Sequence, residues 1–442
     1  MKYYNKIKYK YIHKYITTTI RNKMNLSKQC ELLMSFFLEN ECLSYKKQSP
    51  TTKRILRKLH RDVSQAHAFV ESKKESGRFY KYKVQKISTV SQIPRPKTFN
   101  INTFPAEVRK HIDNSSTMVL SYTFSLFSRE IKIYFVLEEL TWSDEIMEIY
   151  NDYVDRMLTW LHIVNEYSVK KCSNSVTIYV YLTSLTKQLP LTNIEILDEI
   201  HVNTAFTYTC PIDSEIVIFR KEEWFKVFMH ETMHNFALDF SDMNQVGCNK
   251  QVLELFPVKS DVNLFEAYTE FWAEIMNAVF CSFYLGTHGG LAEFYNNFDF
   301  FINYERSYSV FQMVKTLNFM GLTYKDLYSK SPRSLMLRET MYKENSNVLS
   351  YYVIKLILMN NYQGFLGWCE TNNLSLLQFK KTTGNINEFC QFIKKNYKTK
   401  TLLANISCME AFLKNIKSSK NSHNKDMQFV LKNMRMTIAE MG

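Results

Sequence analysis

The stretch that most constrains this chain is Trp224–Phe240, seventeen residues with ten apolar side chains and neither glycine nor proline. Phe225, Met229, Met233 and Phe236 are spaced for one helical face, while Trp224, Val227, Phe228 and Leu238 crowd the others. A helix that is apolar nearly all round has no solvent face, so the pattern predicts an interior helix around which a domain is built. Within it stands His230-Glu231-Thr232-Met233-His234. Residues four apart stack on one face, which brings His230 and His234 within reach of one ion and turns Glu231 to the adjacent side. Buried polar groups need partners, and for two imidazoles one turn apart the economical partner is a metal. Zinc, with Glu231 as base for a metal-activated water, is the chemistry this spacing serves. The plain alternatives are a hydrogen-bonded pair of core histidines and a chance match, the latter expected in about 1–2% of such chains.

A catalytic zinc takes three protein ligands. The position six residues after His234 holds Phe240 and supplies none. Further on, Glu266, Glu270 and Glu274 lie at i, i+4 and i+8 on one face of an otherwise apolar helical pattern containing Leu264, Phe265, Phe271, Trp272, Ile275 and Met276. Like charges stacked in this way repel by about 0.2–0.5 kcal/mol per pair, and a nearby cation offsets that cost. A solvated acidic stripe is the competing reading, and His288 in Thr-His-Gly-Gly is a rival third ligand.

At these residues the chain resembles the gluzincin metallopeptidases, the thermolysin- and neprilysin-like enzymes. Val202-Asn203-Thr204-Ala205-Phe206 resembles their Asn-Ala-Phe edge strand, with one residue inserted, and Ile216–Phe219 the short strand that follows. His-Glu-Thr-Met-His and the downstream Glu266-x-x-x-Glu270 are similar to their metal motifs, with Glu270 where the family has Asp. The resemblance covers about residues 200–276. It implies zinc ligands His230, His234 and Glu266, general base Glu231, and Glu270 as the acceptor that orients a ligand histidine. It implies that Asn203 and Ala205 meet the main chain of a peptide substrate. The Asp-to-Glu change leaves open which of Glu266 and Glu270 binds the metal, with Glu266 preferred. The chain also resembles uncharacterised metallopeptidases of large DNA viruses, a resemblance that its Lys-, Asn- and Tyr-rich composition suits.

The formal charge of +13 is unevenly placed. Residues 1–100 carry 23 Lys or Arg and 6 Asp or Glu, and the remaining 342 carry 33 and 37. Thr51–Glu71 reads as a basic amphipathic helix that could meet nucleic acid or an anionic membrane surface, or pack on the catalytic unit. No apolar run reaches the ~18 residues that span a bilayer, and the basic first 30 residues lack the apolar core of a secretion signal. Nine cysteines without a C-x-x-C pair read as free thiols in a reducing compartment. A cytoplasmic location, or one inside a particle assembled there, follows as the expectation.

Three of the eight prolines (Pro94, Pro96, Pro105) mark a boundary near 91–106. Thr117–Phe127 and Glu130–Glu138 read as a hairpin, Asp144–Tyr167 as a long helix, and Ser175–Leu182, Ala205–Thr209 and Glu215–Phe219 as strands. From Phe300 the pattern is helix after helix. The expected architecture is α+β and zincin-like: a basic, partly helical segment (1–100), a mixed β-sheet packed on an active-site helix (101–299), and a mostly helical C-terminal lobe with a basic tail (300–442). The expected activity is zinc-dependent peptide-bond hydrolysis. Endopeptidase is favoured, because no Gly-x-Met-Glu-Asn segment is present to hold a substrate N-terminus. Tyr351, Tyr352 and His288 are candidates for the donor that holds the oxyanion. The alternative is a catalytically inactive zincin-fold structural or interaction protein whose basic N-terminus binds nucleic acid or membrane.

Overall fold

The computed structural model describes residues 28–39, 47–76, 79–100, 103–139, 143–286, 290–418 and 424–441. His288 and the first 27 residues lie outside these. Among the described residues, six strands form one mixed sheet: β1 (Lys81–Lys86), β2 (Met118–Leu126), β3 (Arg129–Leu137), β4 (Ser175–Tyr181), β5 (Ala205–Thr207) and β6 (Asp213–Ile218). Their spatial order is β1-β2-β3-β4-β6-β5. β2 and β3 make the expected hairpin, with Met118 opposite Leu137 and Leu126 opposite Arg129. β3, β4 and β6 run parallel, and β5 returns antiparallel along β6 to form one edge. The fold is α+β, a mixed sheet with a mostly helical remainder.

Alternation along the strands divides the sheet into two faces. Leu120, Tyr122, Phe124, Ile133 and Phe135 join the main core, while Val119, Val136, Tyr179 and Tyr181 pack under helix Ala106–Ser115 through Val108 and Ile112. The main face is covered by α2 (Asp144–Tyr167), the crossover between parallel β3 and β4, and by α3 (Trp224–Asn235). α2 occupies the residues its periodicity predicts, and all twelve residues of α3 are buried, as expected of a helix without a polar face. α4 (Leu264–Leu285) packs on α3, and α5 (Leu291–Phe319) packs on α4.

The elements before the proline-rich segment share this core. α1 (Pro50–Glu75) starts at Ser49, whose Oγ accepts from the Thr52 N–H, with Pro50 preset for the first turn. Its Ile55, Leu56, Leu59, Val63 and Ala66 are buried against α2 and α4, while Arg54, Arg57 and Lys58 stay outside. No helix among the described residues is long and apolar enough to cross a membrane.

The reading of all nine cysteines as free thiols is corrected. Cys172–Cys210 and Cys248–Cys390 are disulfide-bonded, with Cα–Cα distances of 4.7 and 6.2 Å inside the usual range. Sequence separations of 38 and 142 residues hide pairs that only the tertiary fold brings together. The argument for a reducing compartment goes with that reading.

Candidate metal centre

α3 is anchored at its C-terminal end. Asn235, its last residue, donates to Thr207 Oγ1 (2.9 Å) and accepts from Ser173 Oγ (2.6 Å), which ties the helix to β5 and to the loop before β4. Beyond it, Ala237 takes a left-handed conformation (φ +57°), and the Leu238 N–H reaches back to the Met233 carbonyl at 2.8 Å. Such a turn stops a helix and reverses the chain. Here it brings Asp239 back beside His234.

The geometry at the histidines follows. His230 Nδ1–H donates to Glu270 Oε2 (2.9 Å), and His234 Nδ1–H to Asp239 Oδ2 (2.5 Å). A carboxylate accepting at Nδ1 leaves the Nε2 of each ring facing inward, as a lone pair while the ring is neutral and as a donor toward Glu266 when it is protonated. The two Nε2 atoms stand 3.0 Å apart, with Glu266 Oε2 at 3.1 Å from one and 3.4 Å from the other. With both rings neutral, two imidazole lone pairs and a carboxylate oxygen converge on one small volume. Acceptors facing one another repel, and a cation between them relieves that repulsion. His230, His234 and Glu266 can hold a metal ion.

Electrostatics point the same way. Burial by itself lowers both imidazole pKa values, yet hydrogen bonds to Glu266 and Glu270 raise His230, and Asp239 with Glu266 raises His234 further. Burial likewise works against ionised Glu266 and Glu270. The imidazoles hold Glu266 well below the usual carboxylate range, and Lys226 with His230 does the same for Glu270. The centre draws positive charge. Any extra proton on these rings would sit at Nε2, where a metal would bind.

In the acidic stripe of α4, Glu270 and Glu274 are buried and Glu266 is half-buried, and each carboxylate is matched differently. Lys226 Nζ lies 2.6 Å from Glu270 Oε1, and Lys355 Nζ lies 2.7 Å from Glu274 Oε2. Glu266 faces the two imidazoles and accepts from Tyr351 OH at 3.0 Å. Two of the three glutamates therefore have a lysine of their own, and Glu266 is the one turned to the metal position.

Glu231 is buried beside the group. Burial raises its carboxyl pKa, with the two imidazoles offsetting part of the rise. His230, Glu231, Asn203, Ala205 and Tyr351 line one cavity, so the structure brings together the sequence candidates on both sides of the metal position. Asn203 also accepts from Ser346 Oγ through Oδ1 (3.3 Å), and Ala205 opens β5, paired with Ile218. Tyr351 sits in a π-helical segment, Leu349–Ile354, a form often found at functional sites. Tyr352 points elsewhere, its hydroxyl donating to the Met434 carbonyl (2.6 Å).

Sequence reasoning missed Asp239 and Lys226. Asp239 is a lone acid between Leu238 and Phe240, and an unpaired charge inside an apolar run was its available signal. Lys226 precedes His230 by one turn, so its position on a helix read as interior was the clue. Comparison with protein-family models, with curated proteins and with solved structures finds no match to this chain.

Proposed function

We propose that this protein is a zinc-dependent peptidase of the gluzincin kind, with a zincin-like catalytic unit acting within polypeptide chains. One observation carries the reading: both imidazoles are oriented by carboxylates on Nδ1, so two Nε2 atoms and a Glu266 oxygen point at one position beside a buried glutamate. Two nitrogens and one carboxylate oxygen form the donor set of hydrolytic zinc sites, and zinc bound there would activate water and polarise a peptide carbonyl. A purely structural zinc closes its shell with four protein ligands. Among the described residues three donors converge, which favours the hydrolytic role.

The chain's own groups have these parts. Glu231 takes a proton from the attacking water and returns it to the leaving amine, and burial has moved its pKa upward, toward the range a general base needs. Tyr351 keeps its proton, because burial and nearby carboxylates push its pKa well above the ordinary value, and its hydroxyl would donate to the developing oxyanion by exchanging its bond to Glu266 Oε2. Among the described residues β5 pairs only with β6, so its other edge and Asn203 can receive the main chain of an extended substrate.

The test compares wild type with Glu231→Gln, using metal analysis and cleavage of a peptide library. One zinc per chain is expected in both, with hydrolysis only in the wild type. Equal cleavage by the variant would remove Glu231 from the mechanism. Full zinc occupancy after replacing His230 and His234 with Ala would remove the site.

A further inference from the structure

We propose that Met436 sets the substrate specificity of this site, by restricting one residue next to the scissile bond to a small side chain such as Gly, Ala or Ser. The inference deepens the peptidase reading and rests on it.

The cavity that opens on His230 and Glu231 has a volume of about 30 Å³. That is room for roughly two waters, or for a methyl or hydroxymethyl group, and not for a Leu or Phe side chain. Lys187, Lys226, Glu270 and Thr204 give it polar walls, and its aliphatic wall comes from Val227, one turn before Glu231, from Val202 and Ala205 at and just before β5, and from Met436. The two valines belong to elements that carry the site itself. Met436 lies on residues 433–441, which form no helix and are buried throughout.

That segment is held so that its backbone cannot retreat from the cavity. The Met434 N–H donates to the Lys187 carbonyl (2.9 Å), and the Met434 carbonyl accepts from Tyr352 OH (2.6 Å). The Met436 and Thr437 N–H groups both donate to Glu223 Oε1, at 2.6 and 2.5 Å. Glu223 immediately precedes α3, in a left-handed conformation (φ +60°), and its own N–H donates to Glu440 Oε1 at 2.7 Å. The segment is thereby fastened to the start of the helix that carries His230 and Glu231. With both flanks fixed, the unbranched Met436 side chain is the part of this segment that can change the cavity's size. Methionine fills irregular gaps well, so its replacement changes volume without introducing a new polar group.

The test uses the zinc-loaded full chain. After a library locates the scissile bond, peptides differing only at the flanking residue (Gly, Ala, Leu, Phe) are compared by kcat/KM. Wild type is expected to prefer Ala over Leu by about tenfold or more, the discrimination that one or two carbons give in an apolar pocket. Met436→Ala should raise the Leu-to-Ala ratio by at least about tenfold. Met436→Val, a milder cut that protects against loss of the fold, should move it part of the way. In parallel, dipeptide hydroxamates with the same side chains are titrated against zinc-loaded wild type and both variants, which reads the pocket without turnover. A hydroxamate ranking that shifts toward Leu in the variants while no peptide is cleaved would support the pocket assignment and count against hydrolysis. Equal acceptance of Leu and Ala by wild type, or a ranking that neither variant moves, would overturn the role of Met436.

Discussion

Glu266 and Glu270 sit one turn apart on α4 and both touch His230, yet replacing them should damage different properties. Glu270 accepts from His230 Nδ1 with one oxygen and pairs with Lys226 through the other, both pairs nearly free of solvent. Glu270→Ala removes the ring's orienting acceptor, a loss typically worth ~10–100-fold in metal affinity. It also leaves Lys226 buried without its carboxylate, and breaking a buried pair from one side costs about 3–5 kcal/mol. Glu266→Ala deletes a ligand and should weaken zinc by more than ~100-fold, a larger loss than that from an orienting partner. Among the described residues no lysine pairs with Glu266, whose partners are the two imidazoles and Tyr351, so this variant should lose less stability than Glu270→Ala.

The assay is zinc titration against a competing chelator, paired with urea unfolding of the metal-free protein. Glu266→Ala should be the zinc-deficient, more stable variant, and Glu270→Ala the unstable one that still binds. Replacing the pair together, Lys226→Met with Glu270→Leu, should recover most of the stability and little of the affinity, because a buried pair exchanged for apolar groups of similar volume is often neutral. The reasoning fails if Glu270→Ala abolishes zinc binding while Glu266→Ala retains it, or if Glu270→Ala costs no stability.

Three further outcomes are expected. Asp239→Ala should weaken zinc by ~10–100-fold, whereas Asp239→Asn, which keeps an acceptor oxygen for His234 Nδ1–H, should lose much less in the same titration. Zinc occupancy should rise with pH, because protons and metal compete for Nε2 and both folded imidazoles lie above 6.5. In the metal-free protein those raised values contribute stability that is complete below pH 6.5 and fades as pH climbs through the folded pKa values, so the urea midpoint should fall over that window. Deleting everything before residue 101 removes β1 and the buried face of α1, and the product should be insoluble or show no cooperative unfolding, as judged by calorimetry.

What the sequence made legible was local periodicity and spacing. The hairpin of β2 and β3, the limits of α2 and the interior character of α3 all follow from patterns within one element, and packing reinforces each. The convergence of His230, His234 and Glu266 was readable for the same reason, since two histidines four apart and a glutamate stripe state their own geometry. Asp239 was not readable, because its approach to His234 depends on Ala237 adopting a positive φ, which alanine rarely does and sequence does not signal. Lys226 had a position but no visible partner, since Glu270 lies 44 residues away. The disulfides and the course of residues 433–441 depend wholly on tertiary arrangement, and local spacing says nothing about either.

The stripe on α4 explains how such a centre can be ready before a metal arrives. Three glutamates on one buried face would destabilise the pairing of α3 with α4 if their charges were left alone. Lys226 and Lys355 answer two of them from different elements, at contact distance and with almost no exposure. Those pairs fix the position of α4 against α3 and against the segment that carries Tyr351. Glu266, on the same face one turn earlier, is then held at the correct height by its neighbours rather than by the ion. His230 and His234 are likewise turned by Glu270 and Asp239. The donors therefore need little rearrangement to close on a metal, and the energy of binding is not consumed in building the site. A glutamate with its own lysine could not serve this purpose, because its charge is already satisfied. That is the physical reason for assigning the ligand role to Glu266 and the scaffolding role to Glu270.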